Sequence, residues 1–358
     1  MAKKFDAEDW AKKHKDDAPE IRQLKSELSR LHRLLSKARA GESLIVEEVH
    51  SILDDDFFDI EIPARPRASR SKRGIEEAFL HISDVQIGKR TSSYSTQVAS
   101  ERLMMLAEKA VEIADTRRHS AKIESLHICL GGDLVEGETI FGGQQWSVDG
   151  DLWAQAIKLG PEMLARAILY LTGHFRHIHI SSVPGNHGRS GSKYSGVSKK
   201  TNFDSITSEI TRLIVDAAMA EKKRDGQITW DLDHGTFWTI HNLCGWGVLC
   251  VHGDQIRGGF AGFPYYGVGK RAWGWIDAIP DPWTYLAFGH FHTFAAGTLN
   301  KRYYLANGTV ESDNEYAQEQ LAATGDPCQR LAFFNRKNGM ISDHQIWLGG
   351  KREADYKK

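Results

Sequence analysis

The chain has 358 residues, a formal net charge of -1, 41% hydrophobic and 26% charged side chains. That balance fits a globular protein with ample core, built as one large domain with an appendage or as two modest domains. It leaves bulk charge silent about partners, so any nucleic-acid surface has to be a local patch. No apolar run approaches bilayer length, and the start Met-Ala-Lys-Lys-Phe-Asp has no apolar core of a signal peptide, so neither membrane insertion nor secretion is expected. The four cysteines (Cys129, Cys244, Cys250, Cys328) form no CxxC pair. Cys129 and Cys250 sit in apolar runs and read as buried thiols, which points to a reducing, cytoplasmic setting.

Residues 1–61 form an N-terminal extension. Ile21, Leu24, Leu28, Leu31 and Leu35 recur at three- and four-residue steps, with charged residues on the other faces. The stripe suits either an amphipathic helix packed on its own domain or a short coiled coil that makes a homodimer. Residues 41–61 are acidic and partly apolar. Residues 62–74 hold two prolines and five basic side chains, and read as an exposed basic linker. The domain boundary is placed there. The main domain is expected over 75–350, with a polar tail over 351–358.

From about residue 76 strands and helices alternate. The patterns predict strands over 78–83, 125–131 and 177–183, and helices over 97–116, 151–173 and 204–222, as in βαβ units. After residue 226 strands come more densely: 227–231, 236–241, 246–252, 284–289, 302–306, 330–335 and 342–347. A second sheet packed on the first follows. Two loops stand out. Residues 188–202 are basic and Gly/Ser-rich. Residues 257–275 interleave Arg257, Lys270 and Arg271 with six aromatic side chains.

Five short clusters carry metal-ligand chemistry, each at the end of an apolar strand. They are His81-Ile-Ser-Asp84-Val-Gln86, Leu130-Gly-Gly-Asp133-Leu-Val-Glu136-Gly137, Pro184-Gly-Asn186-His187-Gly188, Val251-His252-Gly-Asp254 and Phe288-Gly-His290-Phe-His292. Singly, each has an ordinary reading: Gly-Asp as a turn, Gln86 as a polar strand end, His252 as a core histidine. Together they could converge, because ligands of α/β sheets bind outside the carboxyl ends of the strands. Carboxylates, an amide and imidazoles suit two divalent cations, with a carboxylate such as Asp133 bridging them.

The order Asp-x-Gln, Gly-Asp, Gly-Asn-His, His-Gly, Gly-His-x-His resembles the calcineurin-like metallophosphoesterases over about residues 78–310. The resemblance implies an α/β fold, a two-sheet αββα sandwich with a dinuclear site at its edge. It implies one metal held by Asp84, Gln86, Asp133 and His292, and a second by Asp133, Asn186, His252 and His290. His187 would be the catalytic histidine, off the metals. Asn307-Gly308-Thr309 resembles the small-residue stretch that follows the last histidines in the nuclease branch. Gln86 departs from the family's usual His and favours harder ions such as Mn or Mg. In this it is similar to phage-encoded members resembling the double-strand-break-repair exonucleases. Glu136-Gly137 and Gly188 differ from the protein-phosphatase pattern and argue against that branch.

The expected activity is metal-dependent hydrolysis of a DNA phosphodiester, with two divalent ions, most readily Mn2+ (Mg2+, Fe2+ or Zn2+ as substitutes). His187 would give a proton to the leaving oxygen or orient the phosphate. Asp254 would orient an imidazole or simply lie on the surface. DNA would meet Arg189, Lys193, Lys199 and Lys200 beside the catalytic turn, and Arg257, Lys270 and Arg271 on the aromatic segment, whose rings would stack bases or pack as a sub-core. Trp146 and Trp153 are expected to pack. An ATPase partner is implied by the repair branch, and a phage origin would place the protein in the host cytoplasm. The alternatives are hydrolysis of a small phosphoester and a non-catalytic assembly module with a degenerate site.

Overall fold

The apolar runs become strands where β-branched and aromatic side chains are sealed on both faces. The last five residues of β1, Ile75–Ile82, are all buried, as are the last three of β2, Lys122–Leu130. The computed structural model describes residues 62–69, 73–140, 142–190, 201–224, 226–233, 235–258, 262–313 and 325–349. The helical stripe at 21–35, the acidic stretch, Lys193, Lys199, Lys200 and the tail lie outside them.

The remaining strands are β3 (His177–Ser182), β4 (Ile228–Asp231), β5 (Trp238–Leu243), β6 (Trp246–Val251), β7 (Tyr285–Phe288), β8 (Ala295–Leu299), β9 (Arg302–Ala306), β10 (Cys328–Asn335) and β11 (Gly339–Trp347). They form a six-stranded sheet, β11-β10-β1-β2-β3-β4, and a five-stranded sheet, β5-β6-β7-β9-β8. Both sheets are mixed. β1 through β4 run parallel, with β10 and β11 antiparallel at one side. In the second sheet β6, β7 and β9 run parallel, with β5 and β8 antiparallel at the edges.

The helices are α1 (Thr96–Arg118), α2 (Gly160–Leu171), α3 (Phe203–Glu221) and α4 (Tyr265–Ala278), and a π-helical turn, Ala154–Leu159, leads into α2. Ser95 caps α1 by accepting from the Val98 N–H, and Asn202 caps α3 by accepting from the Asp204 N–H, each satisfying an orphan amide of the first turn. Between the sheets Phe79, Cys129, Ala332 and Phe334 meet Val248, Cys250, Tyr285, Ala287 and Leu305. On the outer face of the second sheet Val268, Ala272 and Trp275 of α4 pack on Leu249, Val251, Leu286 and Phe288. The αββα sandwich expected from the sequence is therefore the observed fold.

Two expectations need correction, and one strand carried no signal. Residues 257–275 are not one loop, because α4 begins at Tyr265. Its Val268, Ala272 and Trp275 form a buried helical stripe that the surrounding glycines mask. The short strand β8, Ala-Ala-Gly-Thr-Leu, has no strong strand signal and forms by antiparallel pairing with β9. Trp146 does not pack, being 76% exposed, and Trp153 is only half covered, at 46% exposed. Residues 62–69 run extended along the domain. Arg224 donates to the Pro63 carbonyl at 2.6 Å, Arg176 to the Pro66 carbonyl at 2.9 Å, and the Ser69 N–H to Glu124 at 2.7 Å.

Candidate metal centre

Six parallel strands, three from each sheet, deliver the candidate residues from their carboxyl ends. β1 leads to Asp84 and Gln86, β2 to Asp133, β3 to Asn186 and His187, β6 to His252, β7 to His290 and His292, and β9 to Thr309 and Glu311. This is where an α/β sheet binds ligands. The turns there are strained. Of the nine non-glycine residues with positive φ among those described, five are candidate ligands: Asp84, Gln86, Asp133, His290 and His292. Such conformations cost about 1–3 kcal/mol each and persist only where the surroundings over-determine them.

The surroundings do so here. Gly289 lies so close to Asp84 Oδ2, and Gly185 to Asp133 Oδ1, that a Cβ at either would collide with the carboxylate. The glycines of these two motifs thus let backbone close on the ligands. Asp204, which the sequence reading missed, ties the turns together. Its Oδ2 accepts from the N–H groups of Asp133 (2.9 Å) and Gly185 (2.8 Å), and its Oδ1 from Leu134 (2.9 Å) and Val135 (3.2 Å). Its position in the first turn of α3 carried no motif signal.

One half of the site contains donors only. The ligating atoms of Asp133, His252 and His290 lie within 4.8 Å of one another. His252 Nε2 is 3.0 Å from Asp133 Oδ2 and 3.2 Å from Asn186 Oδ1. Its Nδ1 lies 2.9 Å from the Gly131 carbonyl, which can only accept. Nδ1 therefore carries a hydrogen and the ring presents Nε2 to the site, as metal-ligating histidines do. Gly131, and not Asp254, thus orients this imidazole. Burial opposes protonation of His252, but Asp133 and Asp84 outweigh it and pull its pKa up to about 10. The pocket therefore favours positive charge, and its N and O donors fit a divalent cation.

The other half is built differently. His292 Nε2 is 3.3 Å from Asp84 Oδ1, and its Nδ1 is 2.8 Å from Glu311 Oε1. The backbone N–H of His290 donates to both Asp84 oxygens at 3.0 and 3.1 Å. The Gln86 carbonyl faces a cation that belongs to the chain: Lys89 Nζ donates to Gln86 Oε1 at 2.8 Å and pairs with Glu311 Oε2 at 2.6 Å and Glu136 Oε2 at 3.9 Å. Burial would lower the Lys89 pKa, yet Glu136 and Glu311 hold it above the ordinary value. Lys89, Glu136 and Glu311 are all buried, and the sequence reading assigned none of them to the site. Glu136 stood inside a quoted cluster. Glu311 follows the Asn307-Gly308-Thr309 stretch, whose Thr309 hydroxyl donates to the Asp84 carbonyl at 3.0 Å.

His187 lies beside both halves. Its N–H donates to Asp133 Oδ1 at 2.7 Å, and its ring Nδ1 donates to the Glu136 carbonyl at 3.0 Å. Nε2 is 3.9 Å from Asp133 Oδ2. Burial works against an imidazolium, but Asp133 and Glu136 raise the His187 pKa to about 9. Glu136 is in turn fixed by Gln144, whose Nε2 donates to its carbonyl at 2.8 Å. The next residue, Gly137, donates its N–H at 2.9 Å to Gln155 of the π-helical turn. Such turns recur at functional sites.

Of the expected nucleic-acid residues, Arg189 is half-buried beside His187, while Arg257, Lys270 and Arg271 are exposed. Arg271 donates to the Gln255 carbonyl at 2.7 Å. The aromatics of this segment divide: Phe263 and Trp275 are buried, whereas Tyr265, Tyr266 and Trp273 are 62%, 78% and 58% exposed.

No family model and no curated protein matches the chain. Solved structures do. They include a single mutant of Vps29 from Entamoeba histolytica (12% identity, 75% of this chain and 98% of that one, TM-score 0.33). An archaeal phosphodiesterase matches at 8% identity, 75% and 99% coverage and TM-score 0.33. A predicted phosphoesterase from Streptococcus pneumoniae matches at 11%, 75% and 98%, and 0.27. At such identities and scores the likeness adds nothing to what the chain's own layers display. Those layers are an αββα sandwich of two mixed sheets, the architecture that the sequence resemblance implies.

Proposed function

We propose that this chain is a metal-dependent phosphodiesterase acting on DNA. The observation that carries the reading is the meeting of Asp84, Asp133, Asn186, His252, His290 and His292 at one edge, with His187 anchored to the shared Asp133. Asp133, Asn186, His252 and His290 would hold one divalent ion, and Asp84, Asp133, His292 and Gln86 a second. When bound, such ions neutralise phosphoryl charge and make hydroxide available near neutral pH.

The chain's own residues supply the rest. With Nδ1 on the Glu136 carbonyl, His187 turns Nε2 toward Asp133 and the centre. A proton on that Nε2 passes to the leaving oxygen as its bond to phosphorus breaks and a water oxygen takes its place. General acid catalysis of this kind is worth about 10²–10⁴-fold. Lys89 keeps a fixed positive charge beside Glu136 and Glu311, so these two carboxylates do not repel an incoming phosphate unopposed.

DNA as the substrate draws its support from α4. This helix follows the His252 strand end and carries the exposed Tyr265, Tyr266 and Trp273 with Lys270 and Arg271. Exposed rings among basic side chains suit unpaired bases and their phosphates. One observation favours a second reading, an assembly module with a degenerate site: the Gln86 carbonyl is engaged by an ammonium of the chain itself. Against it stand the complete donor set around Asp133 and the anchored His187.

The test is cleavage of end-labelled linear and circular DNA, single- and double-stranded, with Mn2+, Mg2+ or EDTA. The expected outcome is metal-dependent cutting that EDTA and His187→Ala abolish. Hydrolysis of an aryl phosphodiester without any DNA cutting would transfer the reading to a small phosphoester. No hydrolysis of either would favour the assembly module.

A further inference from the structure

The inter-sheet core holds a second cluster of ligand chemistry that hydrolysis does not use. On the face of the first sheet turned toward the second, strand register sets Phe79, His127 and His179 in one row and His81, Cys129 and Ser181 in the next. β5 lays His241, and β6 lays Cys250, over these rows. His81, Cys129, Ser181, His241 and Cys250 are all fully buried. The interior between two sheets is ordinarily apolar, so two thiols and two imidazoles there call for an explanation.

The geometry is that of a cage. The ligating atoms of Cys129, His241 and Cys250 lie within 4.8 Å of one another. His81 is the register neighbour of Cys129 on the adjacent strand. His241 is held from two sides, by the Ser181 hydroxyl at 2.6 Å on Nε2 and by His127 Nδ1 at 3.3 Å on Nδ1. Because Ser181 is the register neighbour of Cys129, the Nε2 edge of His241 lies over the thiol. His81 gives an independent indication. It is sealed from solvent, and neither ring nitrogen has a well-formed hydrogen bond, whereas buried polar groups are nearly always partnered. All four cysteines are free thiols, so no disulfide accounts for the pair.

We propose that Cys129, Cys250, His241 and His81 form a structural site for one zinc ion, which staples β1 and β2 to β5 and β6. Two sulfur and two nitrogen donors are a tetrahedral zinc set. With Zn–S near 2.3 Å and Zn–N near 2.0 Å, ligand atoms stand roughly 3.3–3.8 Å apart, so Cys129, His241 and Cys250 would draw together by at most about 1.5 Å, with His241 Nε2 exchanging the Ser181 hydroxyl for the ion. Binding releases one proton from each thiol. Two thiolates then cancel the dication and two neutral imidazoles complete it, giving an uncharged complex that a dry core accepts. No oxidant or reductant takes part.

The edge centre offers only nitrogen and oxygen donors, so a sulfur signature separates the two sites. The test is cobalt loading of the full chain, purified with reductant and stripped of metal. One cobalt per chain should give a thiolate-to-metal charge-transfer absorption that zinc abolishes. The absorption should persist in Asp133→Asn and in the Cys244→Ser/Cys328→Ser double variant, and vanish in Cys129→Ser and Cys250→Ser. If the cysteine variants fail to fold, native mass spectrometry of Asp133→Asn decides, with one retained zinc expected. Folded wild type without the absorption would overturn the proposal. So would absorption that survives Cys129→Ser, or a Cys129–Cys250 disulfide in the reduced preparation.

Discussion

The two halves of the edge site both join carboxylate, amide and imidazole, and differ in what faces the amide oxygen: His252 beside Asn186, Lys89 beside Gln86. Around Asp133 the strand ends supply a carboxylate, an amide and two imidazoles, and the backbone carbonyl of Gly131 fixes His252 with Nε2 facing the donors. Around Asp84 a carboxylate, an amide and His292 are again present, but Lys89 already engages the oxygen of the amide, Gln86. In one half the donor atoms of Asp133, His252 and His290 cluster within 4.8 Å with no cation of the chain among them. The other carries a cation of its own, anchored by Glu136 and Glu311. The contrast teaches that a single ligand substitution is read together with its neighbours. An amide oxygen in place of an imidazole nitrogen leaves the donor charge unchanged, and here that oxygen is already engaged by the Lys89 ammonium.

Four measurements would break or sharpen this comparison. The largest effect is expected from His187→Ala, which should lower kcat by about 10²–10⁴-fold while isothermal titration finds metal affinity nearly unchanged. A parallel loss of metal affinity would mean that His187 is a ligand and that the halves are wrongly divided. Next comes Asp204→Ala, which removes the acceptor of four backbone N–H groups. By acting on the Asp133 half it should cost about 10–100-fold in metal affinity or activity and lower the melting temperature. Asp204→Asn should rescue part of both, because an amide oxygen still accepts.

A smaller effect is expected for Gln86→His. Titration of wild type with Mn2+ should resolve a tighter and a weaker step. The substitution should tighten the weaker step by about tenfold, or about 1.4 kcal/mol, and leave the tighter one in place. If instead the tighter step moves, Gln86 belongs to the half now assigned to Asp133. The smallest effect is that of Trp273→Ala on α4. Removal of one exposed ring should weaken single-stranded DNA binding by about 1 kcal/mol, with aryl phosphodiester turnover unaffected. Unchanged DNA binding would take α4 out of the substrate path.

What the sequence made legible follows from what was local. Each of the five clusters is a buried strand followed within a few residues by a ligand, so periodicity and residue type sufficed to place Asp84, Asp133, Asn186, His252, His290 and His292 at strand ends. A second sheet packed on the first was legible for the same reason, from alternating βαβ units followed by dense strands, and the αββα layering followed from the motif resemblance. Long-range burial was not legible. Lys89, Glu136 and Glu311 are charged residues in stretches where charges are ordinarily solvated, and only the closing of β9 and the β2 turn around them reveals a buried network. Asp204 acts through backbone amides up to 71 residues away, which no local pattern encodes. Helix α4 was hidden by Gly267, Gly269 and Gly274, although its apolar stripe was present. Trp146 and Trp153 were expected inside because tryptophan usually packs, yet Trp146 ends a short 3-10 turn and Trp153 opens the π-helical turn, 76% and 46% exposed.

The central claim is that the Asp133 edge hydrolyses phosphodiesters with a bound divalent ion. Its most direct test is turnover of an aryl phosphodiester by wild type and Asp133→Asn, each with Mn2+ and with EDTA, and folding checked by circular dichroism. The account predicts turnover only for wild type with Mn2+. Equal turnover by folded Asp133→Asn, or wild-type turnover undiminished by EDTA, would contradict it.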